Sequence, residues 1–193
     1  MVLGLGGHRR VPGFQLTQQR GMRPLQPEHD RAGIRRLDRR DIDVVVLDLK
    51  LPDIDGRERS LGDFKGKVLV IFFGYTQCPD VCPTTLSDIS LWLEELGADA
   101  DRLIVALISV DPERDTPDVL AGYVSNFDPR IIGLTGPADE VAQAAADFRA
   151  TYRRVDKEGG DYTMDHTAAS YVFDRRGRIR LYVRNGTPAA DLA

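Results

Sequence analysis

Cys78 and Cys82 are the two cysteines of this 193-residue chain, and they stand four positions apart. Two thiols form at most one bridge, too few to staple a scaffold of this size as a disulfide-rich module is stapled. Closing so small a ring removes little entropy from the unfolded chain, so a close pair more often does redox or metal chemistry than structural work. Taken alone, the pair is equally compatible with a resting disulfide and with two ligands of a metal site. Cys78 falls in a loop and Cys82 stands against Pro83 at the start of a helix. Unpaired backbone N–H groups and the helix dipole favour a thiolate there, so a low thiol pKa is expected. The spacing is one residue longer than the Cys-x-x-Cys of general dithiol reductases. A peroxiredoxin would carry Thr three residues before its reactive cysteine, where Tyr75 and Pro79 stand instead. A closed zinc site needs four ligands, and the spare imidazoles, His8 and His29, lie in an irregular N-terminal front.

The elements that must position these thiols follow from hydrophobic patterning. Val68–Phe73 is an unbroken β-branched and aromatic run, as expected of a central strand buried on both faces, and Gly74 ends it. After the cysteines, Leu86, Ile89, Leu93 and Leu96 recur at three- and four-residue steps, predicting a helix with Pro83 in its first turn and Gly97 at its end. A second buried strand spans Leu103–Val110, so the three segments form a strand-helix-strand unit with parallel strands. Thr116-Pro117 caps and opens a helix toward Phe127, and Ile131–Leu134 is a short strand. An alanine-rich helix is expected over 137–152, a hairpin over Ala168–Asp174 and Arg178–Val183, and the first turn of a last helix from Pro188. Asp55-Gly56 marks a turn. This order, with a cysteine pair between the first long strand and its helix, describes an α/β, thioredoxin-like fold: a central mixed sheet flanked by helices, with a C-terminal β-hairpin.

Phe72-Phe-Gly-Tyr-Thr-Gln-Cys78-Pro-Asp-Val-Cys82-Pro-Thr-Thr-Leu closely resembles the signature of the Sco/SenC family of copper-binding assembly factors for cytochrome c oxidase. Val110-Asp111-Pro-Glu-Arg-Asp115-Thr-Pro is similar to the family's acidic loop, and Tyr162-Thr-Met-Asp-His166-Thr to the segment carrying its metal-binding histidine. With Phe64-Lys-Gly-Lys before the first long strand, the resemblance covers roughly residues 48–193. The three motifs in this order are far more specific than a lone Cys-x-x-x-Cys.

The resemblance implies one copper ion, Cu(I) or Cu(II), held by Cys78, Cys82 and His166, in a metallochaperone serving the binuclear CuA centre. Two thiolates and an imidazole suit Cu(I), and an added ligand would suit Cu(II). Implied partners are the CuA subunit of the oxidase and possible copper chaperones or thioredoxin-like reductants. The implied setting is the periplasm or the periplasmic face of the inner membrane. The rival reading is a thiol-disulfide oxidoreductase whose redox pair, Cys78 and Cys82, reduces the CuA cysteines; a weaker one is a copper or redox signalling module. Asp165 either orients the imidazole or is a solvated carboxylate. Asp111 and Asp115 are read as loop and cap residues, Asp111 in an Asx-type turn and Asp115 pairing with Arg114 or preceding the helix cap. The resemblance adds docking or a weak second metal contact. Tyr75, Phe72, Phe73 and Trp92 are expected in the core or the walls of the site.

A net charge of -4 with 42% hydrophobic residues argues against a protein that coats nucleic acid. The charge is uneven: residues 1–41 carry nine Arg and four acids, whereas 42–193 carry 17 basic and 26 acidic groups. The division is therefore an arginine-rich, irregular extension over 1–41 and a thioredoxin-like copper-binding domain over 42–193. Six-residue apolar runs are far below the roughly 20 residues of a membrane-spanning helix, and the opening Met1–Arg10 reverses the order of a secretory signal. A monomer is expected.

Overall fold

The computed structural model describes residues 34–36 and 49–187. Its strands are β1 (Ile34–Arg36), β2 (Leu51–Pro52), β3 (Glu58–Arg59), β4 (Val68–Gly74), β5 (Leu103–Ser109), β6 (Ile131–Leu134), β7 (Tyr152–Asp156), β8 (Tyr162–His166), β9 (Ala169–Phe173) and β10 (Ile179–Arg184). Its helices are α1 (Val81–Leu96), α2 (Pro117–Val124) and α3 (Ala138–Asp147). Six strands form one mixed sheet in the order β1-β10-β9-β4-β5-β6, while β2 pairs with β3 and β7 with β8 in two small antiparallel ribbons. The β4-β5 and β5-β6 pairs are parallel; β9 runs antiparallel to β4 and forms the C-terminal hairpin with β10.

Alternation along β4 explains the layers. Leu69, Ile71 and Phe73 face one way, into a core with Phe148, Tyr171, Phe173 and the α3 residues Val141, Ala144 and Ala145. Val70 and Phe72 face the other way, against Leu86, Ile89 and Leu93 of α1 and Leu120 and Val124 of α2. Helices thus cover both faces of a sheet whose central strands β4 and β5 are buried beyond their first residues, the expected α/β architecture. Thr116 caps α2, its side-chain oxygen accepting from the Val119 amide, with Pro117 opening the helix.

Three expectations change. The helix expected over 137–152 ends at Asp147, because Arg149 turns into the left-handed region at φ 53° and the chain enters β7 at Tyr152. The β7–β8 ribbon was not expected at all. The front is not irregular throughout, since Ile34–Arg36 pairs antiparallel with β10, Ile34 opposite Val183. The last helix from Pro188 lies outside the described residues, as do His8 and His29.

Candidate metal centre

The site forms at the carboxyl end of β4. Gly74 closes the strand, Tyr75–Asp80 makes the crossing loop, and α1 begins at Val81. Cys82 is the first member of the buried stripe that continues through Leu86, Ile89 and Leu93, which draws its side chain down toward the sheet until it is fully buried. Gly74 makes room for it: a Cβ there would lie 2.6 Å from the Cys82 sulfur. Cys78 precedes the helix, is half-buried, and packs against both cores.

His166 is the last residue of β8. Its Nε2 lies 3.9 Å from Cys78 Sγ and 3.6 Å from Cys82 Sγ. Its Nδ1 lies 3.2 Å from the Thr167 carbonyl. Donation from Nδ1 to that carbonyl assigns the proton to Nδ1 and leaves the Nε2 lone pair facing the sulfurs. The Tyr75 ring braces the imidazole edge-on at 5.8 Å, and its hydroxyl is 2.6 Å from Thr163 Oγ1 on the same strand. All three ligand atoms lie within 4.8 Å of one another, and they are the group of His, Cys, Asp and Glu so arranged among the described residues. An ion with metal–sulfur bonds of about 2.3 Å and metal–nitrogen bonds of about 2.0 Å separates a sulfur from a nitrogen by about 3.5 Å in tetrahedral and about 3.7 Å in trigonal geometry. The Cys82 distance falls within that span and the Cys78 distance exceeds it by about 0.2 Å, so a small approach of Cys78 lets the three share an ion.

The two thiols are electrostatically unequal. A hydrogen bond from the Cys82 thiol holds Cys78 down at about 4, overcoming burial and assisted by the backbone N–H groups of Asp80 and Cys82. The same hydrogen bond, together with burial and the neighbouring negative charge, pushes Cys82 well above the ordinary thiol value. The low-pKa thiol is thus Cys78, although Cys82 is the one inside the helix. The reason is local: besides the Cys82 thiol, the Cys82 amide donates to Cys78 Sγ at 3.4 Å, while Asp80 at the N-cap position makes no side-chain cap. The sulfur of Cys78 occupies the anion position at the helix N-terminus.

Asp115 has a role that the sequence did not reveal. It is completely buried and accepts from the Thr76 amide at 3.0 Å, the Thr76 hydroxyl at 2.6 Å and the Ser109 hydroxyl at 2.6 Å. It ties the cysteine loop to the end of β5. Arg114 pairs with Asp111 instead, and Asp111 also accepts from the Tyr162 hydroxyl at 2.8 Å. Both carboxylates are committed to protein donors. Asp165 is the solvated carboxylate: it is exposed, paired with exposed Arg153 at 2.7 Å, and alternation turns it away from His166. Tyr75 walls the site; Phe72 and Phe73 are core, and Trp92, on α1, is partly buried against the core on that side of the sheet.

The SCO1/SenC family model matches residues 39–193. The chain belongs to that family. An SCO2-like protein of Rickettsia prowazekii is 37% identical over 131 residues, covering 67% of this chain and 64% of its own length. This SCO1/SenC chain spans 54% to 64% of the length of the first curated relatives it matches. Among solved structures, Bradyrhizobium japonicum ScoI with copper bound is 48% identical with a TM-score of 0.66, over 68% of this chain and 84% of that one. Yeast Sco1 with copper bound is 36% identical with a TM-score of 0.65, over 71% and 77%. Among the described residues, no helix is long and apolar enough to cross a membrane.

Proposed function

We propose that this SCO1/SenC chain is a copper metallochaperone that carries one copper ion on Cys78, Cys82 and His166 and serves assembly of the binuclear CuA centre of cytochrome c oxidase. The observation that carries the reading is the convergence of two thiols and one imidazole within 4.8 Å, a soft donor set that fits Cu(I). The copper-bound relatives supply the choice of metal. Copper is the cargo. Cys78 offers a ready thiolate for capture, and binding the second sulfur displaces the Cys82 proton, so each Cu(I) taken up releases one proton there. Transfer proceeds by exchange of these sulfurs for ligands of the acceptor, for which the periplasmic CuA subunit is the proposed partner.

A second reading is favoured by the low Cys78 thiol beside a protonated Cys82. Such a pair can reduce a partner disulfide: Cys78 attacks as the thiolate, Cys82 loses its proton and resolves, two electrons pass to the partner, whose sulfurs take up the Cys82 proton and one from solvent, and a Cys78–Cys82 disulfide remains. The imidazole beside both sulfurs has no task in that exchange, which favours metal carriage. Anaerobic titration of the reduced protein with Cu(I) under a competing chelator separates them. One tightly held equivalent, lost in Cys78→Ala and Cys82→Ala and strongly weakened in His166→Ala, supports the chaperone. Absence of retained copper, with reduction of a CuA-site disulfide, supports the reductase.

A further inference from the structure

Arg114 lies outside the ligand set but reaches all of its supports. Its Nε donates to Asp111 in its own loop. Its Nη1 lies 3.0 Å from Gln77 Oε1, beside Cys78, and 3.0 Å from the Tyr162 carbonyl, four residues before His166. The guanidinium also stacks on the Tyr162 ring at 3.6 Å, while Arg154 covers the other face at 3.7 Å. One planar group thus joins the acidic loop, the cysteine loop and the histidine strand.

The β7–β8 ribbon needs such a tie. It shares no hydrogen-bonded pairing with the main sheet, and most of its side chains are partly or fully exposed; Met164, its one buried side chain, reaches the core with Phe73 and Phe148, and Tyr152 and Tyr162 pack partly against it. Near the metal centre it is held by polar contacts, from Tyr75 to Thr163 and from Asp111 and Arg114 to Tyr162. Arg114 is mostly buried, and its Nη2 meets no hydrogen-bond acceptor among the described residues. A buried donor left unpaired costs stability, and such exceptions in native proteins call for a functional account.

We propose that Arg114 is a positioning residue for copper binding, fixing the histidine strand against the cysteine loop so that His166 Nε2 faces both sulfurs before the ion arrives. The inference rests on the metal-carrying role of the site. Partners that orient metal ligands typically contribute 10–100-fold in affinity, so Arg114→Ala weakens copper binding by about that factor. Lysine keeps the charge but lacks the planar fork that serves Asp111, Gln77, Asp161 and the Tyr162 carbonyl and stacks on Tyr162, so Arg114→Lys stays close to Arg114→Ala. Tyr162→Phe removes only the hydroxyl contact and falls between Arg114→Ala and wild type.

The test combines competitive Cu(I) titration with amide hydrogen exchange on the copper-free protein. Arg114→Ala speeds exchange at residues 162–166 while β4 and α1 keep their protection, and Asp165→Asn, which breaks an exposed pair on the same strand, changes neither readout. Unchanged affinity in Arg114→Ala, full recovery in Arg114→Lys, or unaltered exchange in β8 overturns the proposal. If Arg114→Ala does not fold, Tyr162→Phe decides by the same two readouts. Failure of the wild type to retain copper defeats the metal-carrying role instead, and the exchange measurement still decides whether Arg114 positions the strand.

Discussion

The amide of Cys82 donates to the sulfur of Cys78 across 3.4 Å, so the residue that begins the buried stripe of α1 also stabilises the charge of its partner. With the larger hydrogen bond from the Cys82 thiol, this makes Cys78 a thiolate above about 4, protonated only as pH falls through that value. Alkylation of Cys78 by iodoacetamide should accordingly be nearly independent of pH from neutrality down to the approach to about 4, with Cys82 protected until the protein unfolds. A Cys78 rate that climbs with pH toward the ordinary thiol value of 9.0 would refute this account.

Gly74 should be intolerant of even one added carbon. A Cβ would lie 2.6 Å from Cys82 Sγ and 3.1 Å from Leu107 Cδ1, in a core that cannot yield freely. Gly74→Ala is expected to cost about 1–3 kcal/mol, as overpacking does, and to weaken copper binding by displacing the sulfur. Urea unfolding and copper competition measure the two effects; a variant with wild-type values in both would show that the sulfur has room elsewhere.

The cysteine loop should depend on Asp115 as an acceptor. Its carboxylate takes hydrogen bonds from Thr76 N, Thr76 Oγ1 and Ser109 Oγ inside a site closed to water. An asparagine replaces one acceptor oxygen with a donor, which faces a donor already in place. Asp115→Asn should lose about 1–3 kcal/mol for the buried group left unpaired. It should also loosen the Tyr75–Asp80 loop, visible as faster amide exchange at Thr76. Denaturation midpoints and exchange rates equal to wild type would show that Asp115 does not hold the loop.

Legibility in the sequence followed the periodicity of each segment. Cys82, Leu86, Ile89 and Leu93 form one buried face of α1, and Val68–Phe73 has the unbroken apolar character of a strand covered on both sides, so both elements were readable. The β7–β8 ribbon was hidden because Tyr152–Asp156 is mostly exposed and reads Tyr-Arg-Arg-Val-Asp, while the alanines of α3 continue the helical pattern past its true end. One signal was available: Gly159 and Gly160 both adopt positive φ at the tip, as a glycine pair between two alternating segments suggests. His166 was legible only through its motif. The attachments of Asp115 and Arg114 join segments distant in sequence, and local spacing carries no record of them.

Oxidation should empty the site without reinforcing the fold. In the Cu(I)-loaded protein both sulfurs are thiolates, so joining Cys78 to Cys82 passes two electrons to the oxidant and removes both sulfur ligands, leaving His166 alone to hold copper. The ring is so short that the entropic gain is about 2 kcal/mol at most before native-state strain is counted. Oxidation of the Cu(I)-loaded protein with a thiol-specific oxidant should therefore release one copper per disulfide formed, with only a small rise in the urea midpoint. Metal analysis after gel filtration, together with counting of free thiols, checks the stoichiometry. Copper retained by fully disulfide-bonded protein would mean that the sulfurs are not its ligands, and would count against the three-residue centre.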